Sequence, residues 1–205
     1  LMSHISNAFV GIGIYFMTYV MGDANLLGTF ASFTNIPMII GLLVAPSVIQ
    51  KMNGMYKVNL IGYGFATFCR IMVIVGGYIG NIPMMLIFTA LCNLGMSPMQ
   101  GDLNALIAAC SEYTYLIKGK RIDGSMFSST SLGVKIGGGL GTAITGWLLA
   151  ASGYVNAAAV QSASALNMLN FMYLWVPMIL SAVMTLLLSQ MDVEKKNKAL
   201  LAKQN

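Results

Sequence analysis

Apolar residues fill six windows of this chain, roughly 5–22, 27–49, 58–79, 83–107, 126–151 and 168–190. About 20 mainly apolar residues are what an α-helix needs to cross a ~30 Å hydrocarbon core. Only helices and closed barrels satisfy every backbone polar group there. Charged residues make up 8% of the chain, against about 25% in an average soluble domain, too few to cover a water-facing globule. The windows therefore predict an all-α membrane protein of six transmembrane helices. Residues 1–190 form the bundle and 191–205 a solvated tail carrying Glu194-Lys195-Lys196-Asn197-Lys198.

The charges give an orientation. Lys51, Lys57, Lys118, Lys120, Arg121, Lys195, Lys196, Lys198 and Lys203 fall in alternate connections or in the tail. The other connections, around Gly22-Asp23-Ala24-Asn25, Gly80-Asn81-Ile82-Pro83 and 152–167, carry no Lys or Arg. Basic loops stay cytoplasmic, so both ends of the chain are expected on the cytoplasmic side of a cell membrane. This distribution also turns the net charge of +5 away from nucleic acid and toward membrane topology. The opening Leu1-Met2-Ser3-His4 has no basic n-region, so a signal peptide is not expected. The chain reads as starting partway through a longer protein.

Catalysis and metal binding find little to work with. The one histidine, His4, has no companion for a nucleophilic set. Cys69, Cys92 and Cys110 follow no metal or redox spacing. The chain is not expected to be an enzyme or to hold a cofactor.

Ionisable groups inside spans are costly and usually face a cavity or a partner. Lys135 lies about nine residues into the fifth window, roughly 14 Å deep at 1.5 Å per residue. Ser131 and Ser128 share its face at i−4 and i−7. The stripe is either a cavity lining or a structural ion pair with helix–helix hydrogen bonds. Arg70 is also deep, and its counter-ion could lie elsewhere in a longer protein. Asp102 and Glu112 are expected to pair with the nearby basic loop. Tyr15 and Tyr19, four apart, form either an interfacial belt or a face that stacks on a sugar. Pro37, Pro46, Pro98 and Pro177 predict kinks within spans. Ile136-Gly137-Gly138-Gly139-Leu140-Gly141 reads as close packing or a flexible point, since no strand precedes it to make a phosphate loop.

A family resemblance becomes specific at Glu112-Tyr113, Gly119-Lys120-Arg121-Ile122-Asp123-Gly124, Phe127-Ser128 and Lys135. This run resembles the loop between helices ten and eleven of the glycoside–pentoside–hexuronide:cation symporters, the melibiose carrier group of the major facilitator superfamily. Tyr19-Val20-Met21-Gly22-Asp23 and Gly153-Tyr154-Val155 resemble two further family positions. Ala109, Tyr115 and Asp123 depart from the pattern, the first two standing where the family often has an acid.

The resemblance implies the C-terminal half of a major facilitator fold, in membrane lipid and partnered by an N-terminal six-helix half. It implies uptake of a sugar coupled to Na⁺ or H⁺ by alternating access. Lys135, Ser131, Ser128, Arg70, Tyr15 and Tyr19 would belong to the substrate and cation cavity. Glu112, Lys120, Arg121 and Asp123 would form a cytoplasmic gate. The cation-binding aspartates would come from the other half, so no complete metal site is expected in this chain. A non-transporting six-span scaffold or sensor, and a half-transporter that homodimerises, are the alternatives.

Overall fold

The computed structural model describes residues 2–202, apart from the side chains of Ser3 and His4. Every regular element in that range is helical. α1 (Met2–Val10) and α2 (Gly13–Tyr15) run into a π-turn at Phe16–Val20. Four long helices follow: α3 (Leu26–Met52), α4 (Met55–Ile79), α5 (Ile82–Lys118) and α6 (Asp123–Ala151). α7 (Ala163–Asn170), a second π-turn at Phe171–Trp175 and α8 (Val176–Ser189) form one continuous rod, and α9 (Val193–Leu201) closes the chain.

Five of these rods are long and apolar enough to cross a membrane; the first apolar stretch, Ile5–Val20, is shorter. It is broken at Gly11 and Ile12 between α1 and α2, where the sequence predicts one span over 5–22. The second π-turn has a visible cause. Pro177 has no N–H to give Tyr173, and the Val176 N–H reaches back to Phe171 O instead.

α4 packs between α5 and α8, α3 lies along α5, and α6 lies along α1. Glycines set the closest approaches, since small residues let backbones meet in lipid. A Cβ on Gly95 would stand 2.8 Å from the carbonyl oxygen of Gly62, and one on Gly62 would meet the Gly95 carbonyl. A Cβ on Gly141 would stand 2.7 Å from Ala8 Cβ and 3.1 Å from Ile5 Cα. Gly138 and Gly139 meet nothing, and α6 runs unbroken through the whole glycine cluster. Of the two readings of that cluster, packing applies at Gly141. Pro98 removes the N–H that would bond Leu94 O, and Ser97 Oγ donates to that oxygen at 2.7 Å. The freed carbonyl is thus satisfied within the continuous helix.

Two sequence expectations are corrected. The connection expected over about 108–125 is helical to Lys118, because α5 stops at Gly119, whose φ of +65° suits glycine. Only Gly119–Ile122 separate α5 from α6. The tail is not simply solvated either. α9 docks on α5 and buries Asn197, whose Nδ2 donates to Ala109 O at 2.8 Å. Glu194 Oε2 accepts from the Tyr56 N–H at 3.0 Å, and Lys198 Nζ donates to Asn53 O at 2.8 Å. α9 therefore straps the α3–α4 turn to the protruding end of α5.

Candidate functional site

A cavity of about 320 Å³ lies between α1, α3, α4 and α5, with Tyr173 on its wall. Its lining is polar for a membrane bundle: Arg70, Asn7, Thr34, Asn35, Thr89, Asn93 and Gln100. Helical periodicity builds it. Thr89, Asn93, Met96 and Gln100 recur at i, i+4, i+7 and i+11, one stripe down α5. Asn93 Nδ2 donates to Thr89 O at 2.8 Å, and Asn35 Nδ2 to Ala31 O at 2.9 Å. Each amide is thereby held against its own preceding turn.

Arg70 is the one charged residue in this lining. Its Nε is buried without a hydrogen-bond partner. Among the described residues the ion pairs are Lys196–Asp192 at 2.8 Å and Lys198–Glu194 at 3.6 Å, and neither involves Arg70. A guanidinium surrounded by amides and hydroxyls can bind hydroxyl-rich or anionic groups through directed hydrogen bonds.

Lys135, Ser131 and Ser128 lie on exposed positions of α6 and do not line this cavity. Lys135 is six residues before Gly141, so it lies roughly 9 Å nearer the basic end than the α6–α1 contact. It forms no ion pair among the described residues. Ser129 and Thr130 bond back into their own helix, to Ser125 O at 2.8 Å and Met126 O at 3.0 Å.

Tyr15 and Tyr19 gather at the opposite end of the bundle, around Tyr154. The ring centroids lie 5.2 Å and 5.9 Å from that of Tyr154. The three tyrosines pack on a core of Phe9, Ile12, Leu169 and Met172. The loop that carries Tyr154 is held by Gln161, which accepts from the Val155 N–H at 3.1 Å and donates to Val155 O at 2.6 Å. Burial pushes the Tyr154 phenol up to about 12, with Tyr19 and Tyr15 adding to the effect.

At the basic end Glu112, Lys120, Arg121 and Asp123 are all exposed. None forms an ion pair among the described residues, so Glu112 does not pair with the basic loop there. Arg121 instead lies over the Tyr115 ring, 5.0 Å from its centroid. Tyr115 is one of the positions where the sequence departs from the acidic pattern. Asp102, expected to pair with the same loop, is buried and accepts from Asn59 Nδ2 at 2.8 Å.

The sequence reading brings Arg70 and Lys135 to one cavity, but here they occupy different surfaces. It misses Asn7, Asn35, Asn93 and Gln100. The signal for two of them was present, because Asn93 and Gln100 lie seven apart within one apolar window.

The family profile described as MFS/sugar transport protein matches residues 8–195. The chain belongs to that family. It is a multi-pass membrane protein of the major facilitator type. It is 30% identical over 188 residues to an isoprimeverose transporter of Lactiplantibacillus pentosus, covering 90% of this chain and 39% of that protein. It is 28% identical to an uncharacterized 29.9 kDa protein in the crtE 3′ region of Pseudescherichia vulneris, covering 96% of this chain and 72% of that one. It is 26% identical to the "Putative glycoside/cation symporter YagG" of Escherichia coli (strain K12), covering 87% of this chain and 38% of that protein. The chain thus spans under two-fifths of the length of two of these three relatives. The resemblance read from Glu112-Tyr113 through Lys135 therefore agrees with the family match.

Proposed function

We propose that this chain is the C-terminal six-helix half of a secondary transporter that moves a sugar together with Na⁺ or H⁺. In this reading the shorter Ile5–Val20 stretch is the first of six spans, which brings both chain ends to one side, and the basic connections make that side the cytoplasmic one. The observation that carries the reading is the polar cavity around Arg70 inside an otherwise apolar bundle. A bundle with only a structural role gains nothing from a half-buried arginine whose Nε is buried unpaired and which has no ion-pair partner among the described residues. The names of the relatives, a sugar transporter and a glycoside/cation symporter, support the same reading.

In this scheme the bundle rocks against an N-terminal half around a site near the midplane. Lys135, exposed and without an ion-pair partner among the described residues, meets carboxylates of the other half. Its charge keeps them ionised or stands in for the cation in the empty carrier. In this scheme the coupling cation takes its ligands from that other half. Arg121 and Lys120 pair across the halves when the cytoplasmic side closes.

Counterflow with a panel of glycosides, in vesicles holding the full-length protein with and without Na⁺, tests the function. Exchange of at least one sugar supports it. No exchange of any sugar, from protein shown to be folded and inserted, would sink it.

A further inference from the structure

The contact between α4 and α5 toward the basic end holds a polar pair in apolar surroundings. On α5, Met99, Asp102 and Leu106 recur at i, i+3 and i+7; on α4, Met55, Asn59 and Tyr63 recur at i, i+4 and i+8. Each polar residue thus shares its face with apolar and aromatic neighbours, and those neighbours pack in one cluster with Leu188 of α8. Asn59 is 1% and Asp102 8% exposed. Asn59 Nδ2 donates to Asp102 Oδ2 at 2.8 Å, while Asn59 Oδ1 and Asp102 Oδ1 are buried without partners.

Among the described residues no cation pairs with this carboxyl. Its ionisable neighbour on α4 is Tyr63, a phenol that is neutral at physiological pH. On α9 it is Glu194, itself an acid and paired with Lys198 at 3.6 Å. Lys51 of α3 and Lys57 of α4 are exposed, and α8 carries no ionisable side chain. A buried charge left unpaired is expensive, and such a group neutralises instead. As a carboxylate, Asp102 only accepts and offers Asn59 Oδ1 nothing; protonated, it gains an O–H donor.

We propose that this contact is a proton-binding site. Asp102 is protonated in the folded bundle, and its Oδ1–H donates to Asn59 Oδ1, so that acid and amide exchange two hydrogen bonds in one closed ring. A single proton satisfies both stranded oxygens and removes the buried charge. Asn59 lies four residues along α4 from Met55, about 6 Å, so the proton exchanges with the basic end of the bundle. The pair lies outside the polar cavity, and the site stands or falls apart from the transport reading.

Infrared spectroscopy of the full-length protein in nanodiscs reads the proton directly. At neutral pH the wild type should show a protonated-carboxyl C=O band that is missing from Asp102→Asn. Thermal melts read it by linkage. An unfolded Asp ionises near about 3.9, whereas the folded carboxyl keeps its proton at neutral pH, so its contribution to stability is full below about pH 4 and falls as pH rises. Asp102→Asn keeps a donor in place of the O–H and cannot ionise, so its melting temperature should gain on that of the wild type as pH rises from about 4 to about 7. If Asp102→Asn does not fold, Asn59→Leu serves instead: with its acceptor gone, the acid band should move to higher frequency. The proposal is overturned by a wild type with no acid band assignable to Asp102, by an acid band that Asn59→Leu leaves in place, or by a melting difference that stays constant or reverses with pH. It is also overturned if replacing Na⁺ by choline shifts the wild-type melt and Asp102→Asn abolishes that shift, which would mark the pair as ligands of a metal cation.

Discussion

Asn59 and Asp102 join α4 to α5 through one buried bond, Asn59 Nδ2 to Asp102 Oδ2 at 2.8 Å. The amide oxygen of Asn59 and the other carboxyl oxygen of Asp102, Oδ1 in each, are buried without partners. Burying polar groups is expensive, and removing one member strands the other. Asn59→Leu should therefore cost about 1–3 kcal/mol, and more than that if Asp102 stays ionised. The double change Asn59→Leu with Asp102→Leu should recover part of the loss. Thermal unfolding of the purified protein in detergent checks this. Additive losses would mean that the two side chains do not interact.

The glycines divide into two groups with opposite expectations. Gly62→Ala and Gly95→Ala each drive a methyl into the facing carbonyl and should lower stability by about 1–3 kcal/mol, the usual cost of overpacking. Gly138→Ala and Gly139→Ala enter open space on a helix, where alanine is favoured by up to about 1 kcal/mol. They should be neutral or stabilising in the same melts. A loss from Gly138→Ala in stability would contradict the packing described for α6; a loss in transport alone would point to contact with the other half.

α9 should behave as a removable strap. Asn197→Ala breaks its bond to Ala109, and Glu194→Ala its bond to the Tyr56 N–H. Both changes together should speed tryptic cleavage at Lys195, Lys196 and Lys198 by about 10-fold, because a few tenths to one kcal/mol per bond is lost. Cleavage inside α4 or α5 should not change. Mass spectrometry of timed digests distinguishes local release from general loosening.

Alkaline pH should act through Tyr154. Its folded phenol lies near 12, against about 10 for an unfolded tyrosine. Below pH ~10 the phenol is neutral in both states, and its full contribution to stability is present. As pH rises from about 10 toward about 12 the unfolded chain ionises first, so this contribution falls. Tyr154→Phe should flatten the stability profile in that range. Ultraviolet titration should show one fewer late-ionising phenol. An unchanged titration would contradict the burial of this hydroxyl.

Lys135→Ala tests the other cation. Lys135 is exposed on α6 with no ion pair among the described residues, so the change should move the melting temperature of this half very little. Accumulation of sugar by the full-length protein should be abolished while its amount in the membrane is unchanged. Unaltered accumulation would remove Lys135 from the coupling scheme.

The long helices were legible because apolar length alone announces them. Their ends were less so, since hydrophobic thickness limits a span but does not stop a helix. α5 continues past the window because Ala108 through Lys118 contain no breaker, and Gly119 is what ends it. α9 was hidden by its charges: Lys195, Lys196 and Lys198 are exposed, and the residues that hold it inward, Glu194 and Asn197, are polar. Arg70 and Lys135 were singled out together as cations within apolar windows, but two residues on different helices have no register in a sequence, and only Arg70 lines the cavity. The neutral amides of the cavity carried no charge to draw notice, although Thr89, Asn93 and Gln100 repeat with helical spacing. Tyr15 and Tyr19 met Tyr154 only because Gln161 fixes a loop far along the chain.

At 37 residues, α5 is about 55 Å long, nearly twice the thickness of the hydrocarbon it must cross. Its far end is joined to α6 by the four residues Gly119–Ile122 and strapped at Ala109 by α9. Pro98 and the Ser97-satisfied carbonyl of Leu94 lie partway along this rod, between Met96 and Gln100 of the cavity lining. One continuous helix thus runs from the charged end of the bundle to the wall of the Arg70 chamber.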